Sequence, residues 1–172
     1  MYRAGQTALV AVIHEAEPMV GVWRSRLDPS AAAGVPAHVA VLSPFLAAAQ
    51  VDDAVVGELT SLFGAQPAFE VRFTEFRRSP GVLYLPPDPD EPFRALAGVL
   101  ATRWPEALPQ GWQLADVKPH LTVAYDQPTP VLDEVEASIT TELPVAAAIT
   151  AVALFGCDGT RWRQRMTFDL AR

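Results

Sequence analysis

Two rhythms of apolar and polar positions alternate along this chain. Thr7 to His14 (TALVAVIH) is dense in Val and Ile and predicts a buried strand. Pro18 stands where a helix opens, and Met19, Val22, Trp23 and Leu27, at offsets 0, 3, 4 and 8, predict one apolar stripe along it. Asp28 to Pro36 carries two prolines and a glycine and reads as a loop. His38 to Leu42 (HVAVL) alternates again, a strand ended by Pro44. Val51, Val55, Leu59, Leu62 and Phe63 recur at offsets 0, 4, 8, 11 and 12, an amphipathic helix stopped by Gly64.

Phe69, Val71, Phe73 and Phe76 mark a strand, Ser79-Pro80-Gly81 a turn, and Val82 to Leu85 pairs back as a hairpin. The proline-studded PPDPDEP leads into a helix whose inner stripe is Phe93, Leu96, Ala97, Leu100 and Trp104, broken by Pro105 to Gly111. His120 to Tyr125 predicts a strand, and Leu132, Val135 and Ile139 a shorter helix ended before Pro144. Val145 to Phe155 and Arg161 to Leu170 are the last strands, joined through an Asp-Gly turn at Cys157-Asp158-Gly159. Strand–helix alternation is compatible with a parallel doubly wound sheet. The two hairpins demand antiparallel pairs, however, and no glycine-rich phosphate loop follows the first strand. The pattern therefore predicts an α+β fold.

Composition narrows the function classes. Half of the 172 residues are hydrophobic, enough for one core and too many for a disordered chain. The apolar run near the start is cut by His14 and Glu15, so no secretory signal is expected, and nothing approaches the roughly 20 apolar residues of a membrane span. A cytoplasmic protein with no membrane partner is expected. The single cysteine, Cys157, excludes an internal disulfide and a cysteine-based zinc site. A net charge of −7 argues against tight binding of long nucleic acid, while a small phosphorylated ligand held by local groups remains compatible.

The candidate chemistry lies in two similar segments, Pro36-Ala37-His38-Val39-Ala40-Val41 and Lys118-Pro119-His120-Leu121-Thr122-Val123. Each sets a proline before a histidine and then opens a strand. Residues two apart on a strand share a face, so His38 goes with Ala40 and His120 with Thr122, opposite to the apolar Val39, Val41, Leu121 and Val123. Cleaving a phosphate ester needs one group to take a proton and another to give one. Imidazole suits both tasks, its ordinary pKa being about 6.5. A hydroxyl beside each ring could donate to a phosphoryl oxygen.

These segments resemble the signature of the two-histidine (2H) phosphoesterase superfamily, in its 2′-5′ RNA ligase-like and cyclic phosphodiesterase branch. HVAVLSPF, PHLTVAY, LYLPPDPDEPF and the final DGTRW carry the resemblance over nearly the whole chain. It implies one bilobal domain across residues 1–172, with two pseudo-symmetric lobes of antiparallel sheet flanked by helices and a central cleft. It implies metal-free, cofactor-free cleavage of 2′,3′-cyclic or 2′-5′ phosphodiesters in small nucleotides or RNA ends. His38 and His120 would be the acid/base pair and Thr122 a phosphate-oxygen donor. A monomer is expected, because the lobes can bury each other.

The first motif departs from that signature, since Ala40 stands where the family places Thr or Ser. Losing one oxyanion donor typically costs about 10²–10³ in rate. Ser43 lies three residues on, but plain alternation puts it on the face opposite Ala40 unless the strand bulges. A nucleotide-binding protein weakened as a catalyst, or a cleft turned to non-phosphate acid/base chemistry, are the alternatives this departure supports. Ser43, Tyr84 and Tyr125 are candidate substrate contacts, and Tyr84, Tyr125 and Trp112 could stack on a base, although aromatics beside strands are more often core. His14 has no partner motif and reads as structural, and three histidines without an i, i+4 pair predict no metal site. Arg77, Arg78 and the alternating Arg161, Arg163 and Arg165 read first as solvated surface.

Overall fold

The computed structural model describes residues 2–172. In chain order the strands are β1 (Ala4–Val12), β2 (His38–Leu42), β3 (Phe69–Phe73), β4 (Arg77–Ser79), β5 (Val82–Leu85), β6 (Pro87–Asp88), β7 (Leu121–Ala124), β8 (Val145–Ile149), β9 (Ala151–Asp158) and β10 (Trp162–Asp169). The α-helices are α1 (Glu17–Leu27), α2 (Pro29–Ala32), α3 (Asp53–Gly64), α4 (Glu91–Arg103) and α5 (Thr129–Ile139). The strands form three sheets, in the orders β10-β9-β1-β2, β6-β3-β8 and β4-β5-β7. Every pairing between these strands is antiparallel. The α+β expectation holds. Among the described residues, no helix is long and apolar enough to cross a membrane.

One continuous core joins all three sheets to the helices. It takes Leu9 and Val39 from the first sheet, Val71 and Phe73 from the second, Leu85 and Leu121 from the third, and Phe63, Leu100 and Val135 from helices. Burying each such side chain contributes about 1.5–3 kcal/mol. The opposite face of the four-stranded sheet holds a smaller cluster around Val10, Val35, Phe155 and Trp162. The cap of α3 is local: the Asp52 carboxylate accepts from the Val55 amide at 2.9 Å, satisfying a donor the helix itself leaves open.

Two expected strands divide. Phe69 to Phe76 does not pair with Val82 to Leu85; β3 ends at Phe73 and joins β6 and β8, while β4 supplies the hairpin partner of β5. Val145 to Phe155 is also two strands, β8 and β9, broken at Thr150 and serving different sheets. An apolar run has no alternation to mark where a chain leaves one sheet for another. The expected stripe on α1 is also rotated. Val22 is 63% exposed, and Arg24 faces inward with Met19 and Val20. His14 does not end β1 but opens a 3-10 turn, exposed and on a separate shallow hollow.

This architecture positions the two histidine segments. β2 and β7 are edge strands of different sheets and lie beside each other, with α1 packed on β7.

Candidate active site

The two segments fold alike, residue by residue. His38 opens β2 and its Nδ1 bonds the Pro36 carbonyl at 2.8 Å; His120 directly precedes β7 and its Nδ1 bonds the Lys118 carbonyl at 2.7 Å. A carbonyl only accepts, so each Nδ1 carries the proton and each Nε2 keeps a free lone pair in the neutral ring. Val39, Val41, Leu121 and Val123 are buried, and Ala40 and Thr122 are half-buried on the other side. That division of faces is the one the alternation predicts.

Both strands then break alternation at the same place. Across β1 and β2 the register passes from Val10↔Ala40 to Leu9↔Leu42, so Val41 is an extra residue. Across β5 and β7 it passes from Tyr84↔Thr122 to Leu83↔Ala124, so Val123 is the extra one. Each is a β-bulge three residues beyond its histidine. Leu42 and Ala124 are therefore buried beside Val41 and Val123, and the next residues, Ser43 and Tyr125, return to the histidine face, both exposed. The expectation that Ser43 lies opposite Ala40 is overturned by this bulge.

Three hollows adjoin along that face. A cavity of about 550 Å³ is lined by His120, Thr122, Ala40, Ser43, Tyr84 and Tyr125, and by Trp112 and Lys118. A second, of about 370 Å³, holds His38 with Asp28 and Ser30 and shares Thr122 and Tyr125 with the first. A third, of about 120 Å³, shares His38 with the second and Ser43 with the first. The cleft thus brings together His38, His120, Thr122, Ala40, Ser43, Tyr84 and Tyr125. Tyr84 stands edge-on to His120, ring centroids 5.6 Å apart.

The two imidazoles differ in surroundings. His38 is half-buried and His120 exposed. Burial pushes the His38 pKa below the ordinary histidine value, helped by the Arg24 cation and by His120, and opposed by the Pro36 carbonyl and Asp28. Burial thus favours the neutral form of His38.

Arg24 is the residue that sequence reading missed. Only 2% exposed, it donates from Nε to the Thr122 carbonyl at 3.1 Å and from Nη1 to the Val35 carbonyl at 3.2 Å. Its Nη2 serves Asp28 Oδ2 at 3.0 Å and Ser30 Oγ at 3.1 Å. One planar guanidinium therefore ties the strand of the second motif to the segment entering the first. The signal was present as a cation inside an apolar helix face with an aspartate four residues on, the spacing of a helical ion pair.

Arg77 and Arg78 are engaged elsewhere, Arg77 by Glu75 and Arg78 by Asp133 and Glu136. Arg161, Arg163 and Arg165 are exposed, and none of them lines the three hollows. Among the described residues no group of three or more His, Cys, Asp or Glu is arranged to hold a metal ion.

Comparison with known proteins gives a consistent result. The sequence profile of the 2′-5′ RNA ligase superfamily matches residues 11–161. Escherichia coli LigT complexed with 3′-AMP is similar in structure, with a TM-score of 0.61 and 17% identity over 98% of this chain and 99% of that one. TT0787 of Thermus thermophilus is similar too, with a TM-score of 0.58 and 17% identity over 96% of this chain and 97% of that one. A structure described as a phosphoesterase has a TM-score of 0.59 and 18% identity over 98% of this chain and 99% of that one. No curated protein matches the sequence.

Proposed function

The chain belongs to the 2′-5′ RNA ligase superfamily, and on that premise we propose that it is a metal-independent phosphoesterase. Its substrates are 2′,3′-cyclic or 2′-5′ phosphodiesters of small nucleotides or RNA ends, and it works as a monomer. The observation that carries this reading is the matched pair of imidazoles, each with Nδ1 tied to a carbonyl two residues back, on adjoining hollows of one cleft. Complexes of the structurally similar LigT with 3′-AMP, ATP and NADP+ support a small nucleotide as ligand.

In the hydrolytic direction, His38 Nε2 takes a proton from water as the water oxygen bonds to phosphorus. The P–O bond to the leaving ribose oxygen breaks, and His120 Nε2, protonated at the outset, gives that oxygen its proton. His38 suits the base role because burial favours its neutral form. Exposed His120 keeps access to protons from solvent. The Lys118 carbonyl accepts from Nδ1–H in both charge states of that ring. Thr122 donates its hydroxyl to a non-bridging oxygen, where negative charge builds. The roles of the histidines exchange when the reaction runs toward ligation.

The test is turnover of 2′,3′-cyclic nucleotides in the presence of a chelator. His38→Ala and His120→Ala are each expected to lower kcat by at least about 10²–10⁴. Activity surviving both substitutions sinks the mechanism. Ala40 favours a second reading, in which the cleft binds a nucleotide without turning it over. Calorimetric binding of 3′-AMP by a protein inert toward cyclic nucleotides selects that reading instead.

A further inference from the structure

The missing hydroxyl of the first motif has a replacement within reach of the same cleft. We propose that Ser43 is a catalytic residue, its Oγ–H donating to a non-bridging phosphoryl oxygen in place of the hydroxyl absent at Ala40. This rests on the phosphoesterase reading above and adds a residue that the histidine–threonine pattern does not contain.

Three observations carry it. First, the bulge at Val41 shifts alternation by one residue, so Ser43 and not Leu42 returns to the face of His38 and Ala40. Second, Ser43 is the residue shared by the hollow of His120 and Thr122 and the smaller hollow of His38. A donor that lines a hollow of each imidazole can serve an oxygen of a phosphate touched by both. Third, the Ser43 hydroxyl makes no hydrogen bond among the described residues, although side chains around the site do; Ser30, for example, donates to Asp28. Its free donor is exposed and held in place, since the chain beyond it is pinned by the Phe45 amide on the Thr7 carbonyl at 2.8 Å and by the Thr7 hydroxyl on the Leu46 carbonyl.

The duplicated geometry supports the same conclusion. Tyr125 occupies in the second motif the place Ser43 takes in the first, five residues beyond the histidine and just past the bulge, and it too lines the cleft. In the second motif the hydroxyl sits before the bulge, at Thr122; in the first it sits after it, at Ser43. Either position faces the same space.

The experiment moves the hydroxyl back. Three forms are compared, wild type, Ser43→Ala and the double variant Ala40→Thr/Ser43→Ala, for turnover of 2′,3′-cyclic AMP and, separately, for calorimetric binding of 3′-AMP. Ser43→Ala should lose about 10²–10³ in kcat, the usual consequence of removing one oxyanion donor. The double variant should recover most of that loss. Full activity in Ser43→Ala, or no recovery in the double variant, overturns the role of Ser43 while leaving the phosphoesterase reading in place. A wild type that binds 3′-AMP without turnover, with binding weakened by Ser43→Ala and restored in the double variant, keeps Ser43 as the phosphate donor and overturns the phosphoesterase reading. Absence of both turnover and binding overturns both.

Discussion

His38 and His120 share a local geometry and differ in exposure, and that difference sets the expected pH behaviour. Burial lowers the His38 pKa, so in the folded protein the ring stays neutral to lower pH than a free imidazole, whose value is about 6.5. A base must be neutral to act. The acid limb of kcat/KM is therefore expected below pH 6.5, and His38→Ala should abolish the rate it describes rather than shift it. The linkage has the same sign for stability. Between the folded and unfolded values the native state binds fewer protons, so stability rises with pH through that window and falls as the solution is acidified. An acid limb at or above 6.5, measured on a cyclic nucleotide whose chemical step limits the rate, contradicts the assignment of His38 as base.

At the scale of elements, the site depends on how β2 and β7 are held side by side, and Arg24 on α1 is the tie between them. Its fork satisfies carbonyls of Val35 and Thr122 and the buried carboxylate of Asp28. Removing one member of a buried ion pair leaves the other charge unpaired, at about 3–5 kcal/mol. Arg24→Met should lower unfolding stability by that order in urea titration, and Arg24→Met/Asp28→Asn should recover part of it. A single variant within about 0.5 kcal/mol of wild type contradicts the tie, being the scatter of an ordinary surface substitution. The same elements show what a sequence reveals. Alternation placed Val39, Val41, Leu121 and Val123 inward and the histidines outward, because a half-buried strand writes its faces with period two. The bulges at Val41 and Val123 were invisible, since a run such as Val41-Leu42 reads equally well with or without an extra residue. Arg24 was hidden for a different reason. A buried cation is legible only through its partners, and two of these are backbone carbonyls that no side-chain pattern encodes.

Across the whole molecule, pairs of local features are repeated on two sheets and meet at one cleft. The repeat was readable from His-x-x-Val in both segments, with a proline one or two residues before each histidine; the convergence was not, because it depends on which sheet edges lie together, and the breaks after Phe73 and at Thr150 that divide the sheets carry no sequence mark. Convergence is the claim on which the function rests, and a crystal structure with 3′-AMP tests it most directly. A single phosphate is expected there, with oxygens about 2.6–3.2 Å from Nε2 of both His38 and His120, the reach that proton transfer requires. A phosphate bound by only one of the rings, or seated outside the hollows that Thr122 and Tyr125 share, would contradict it.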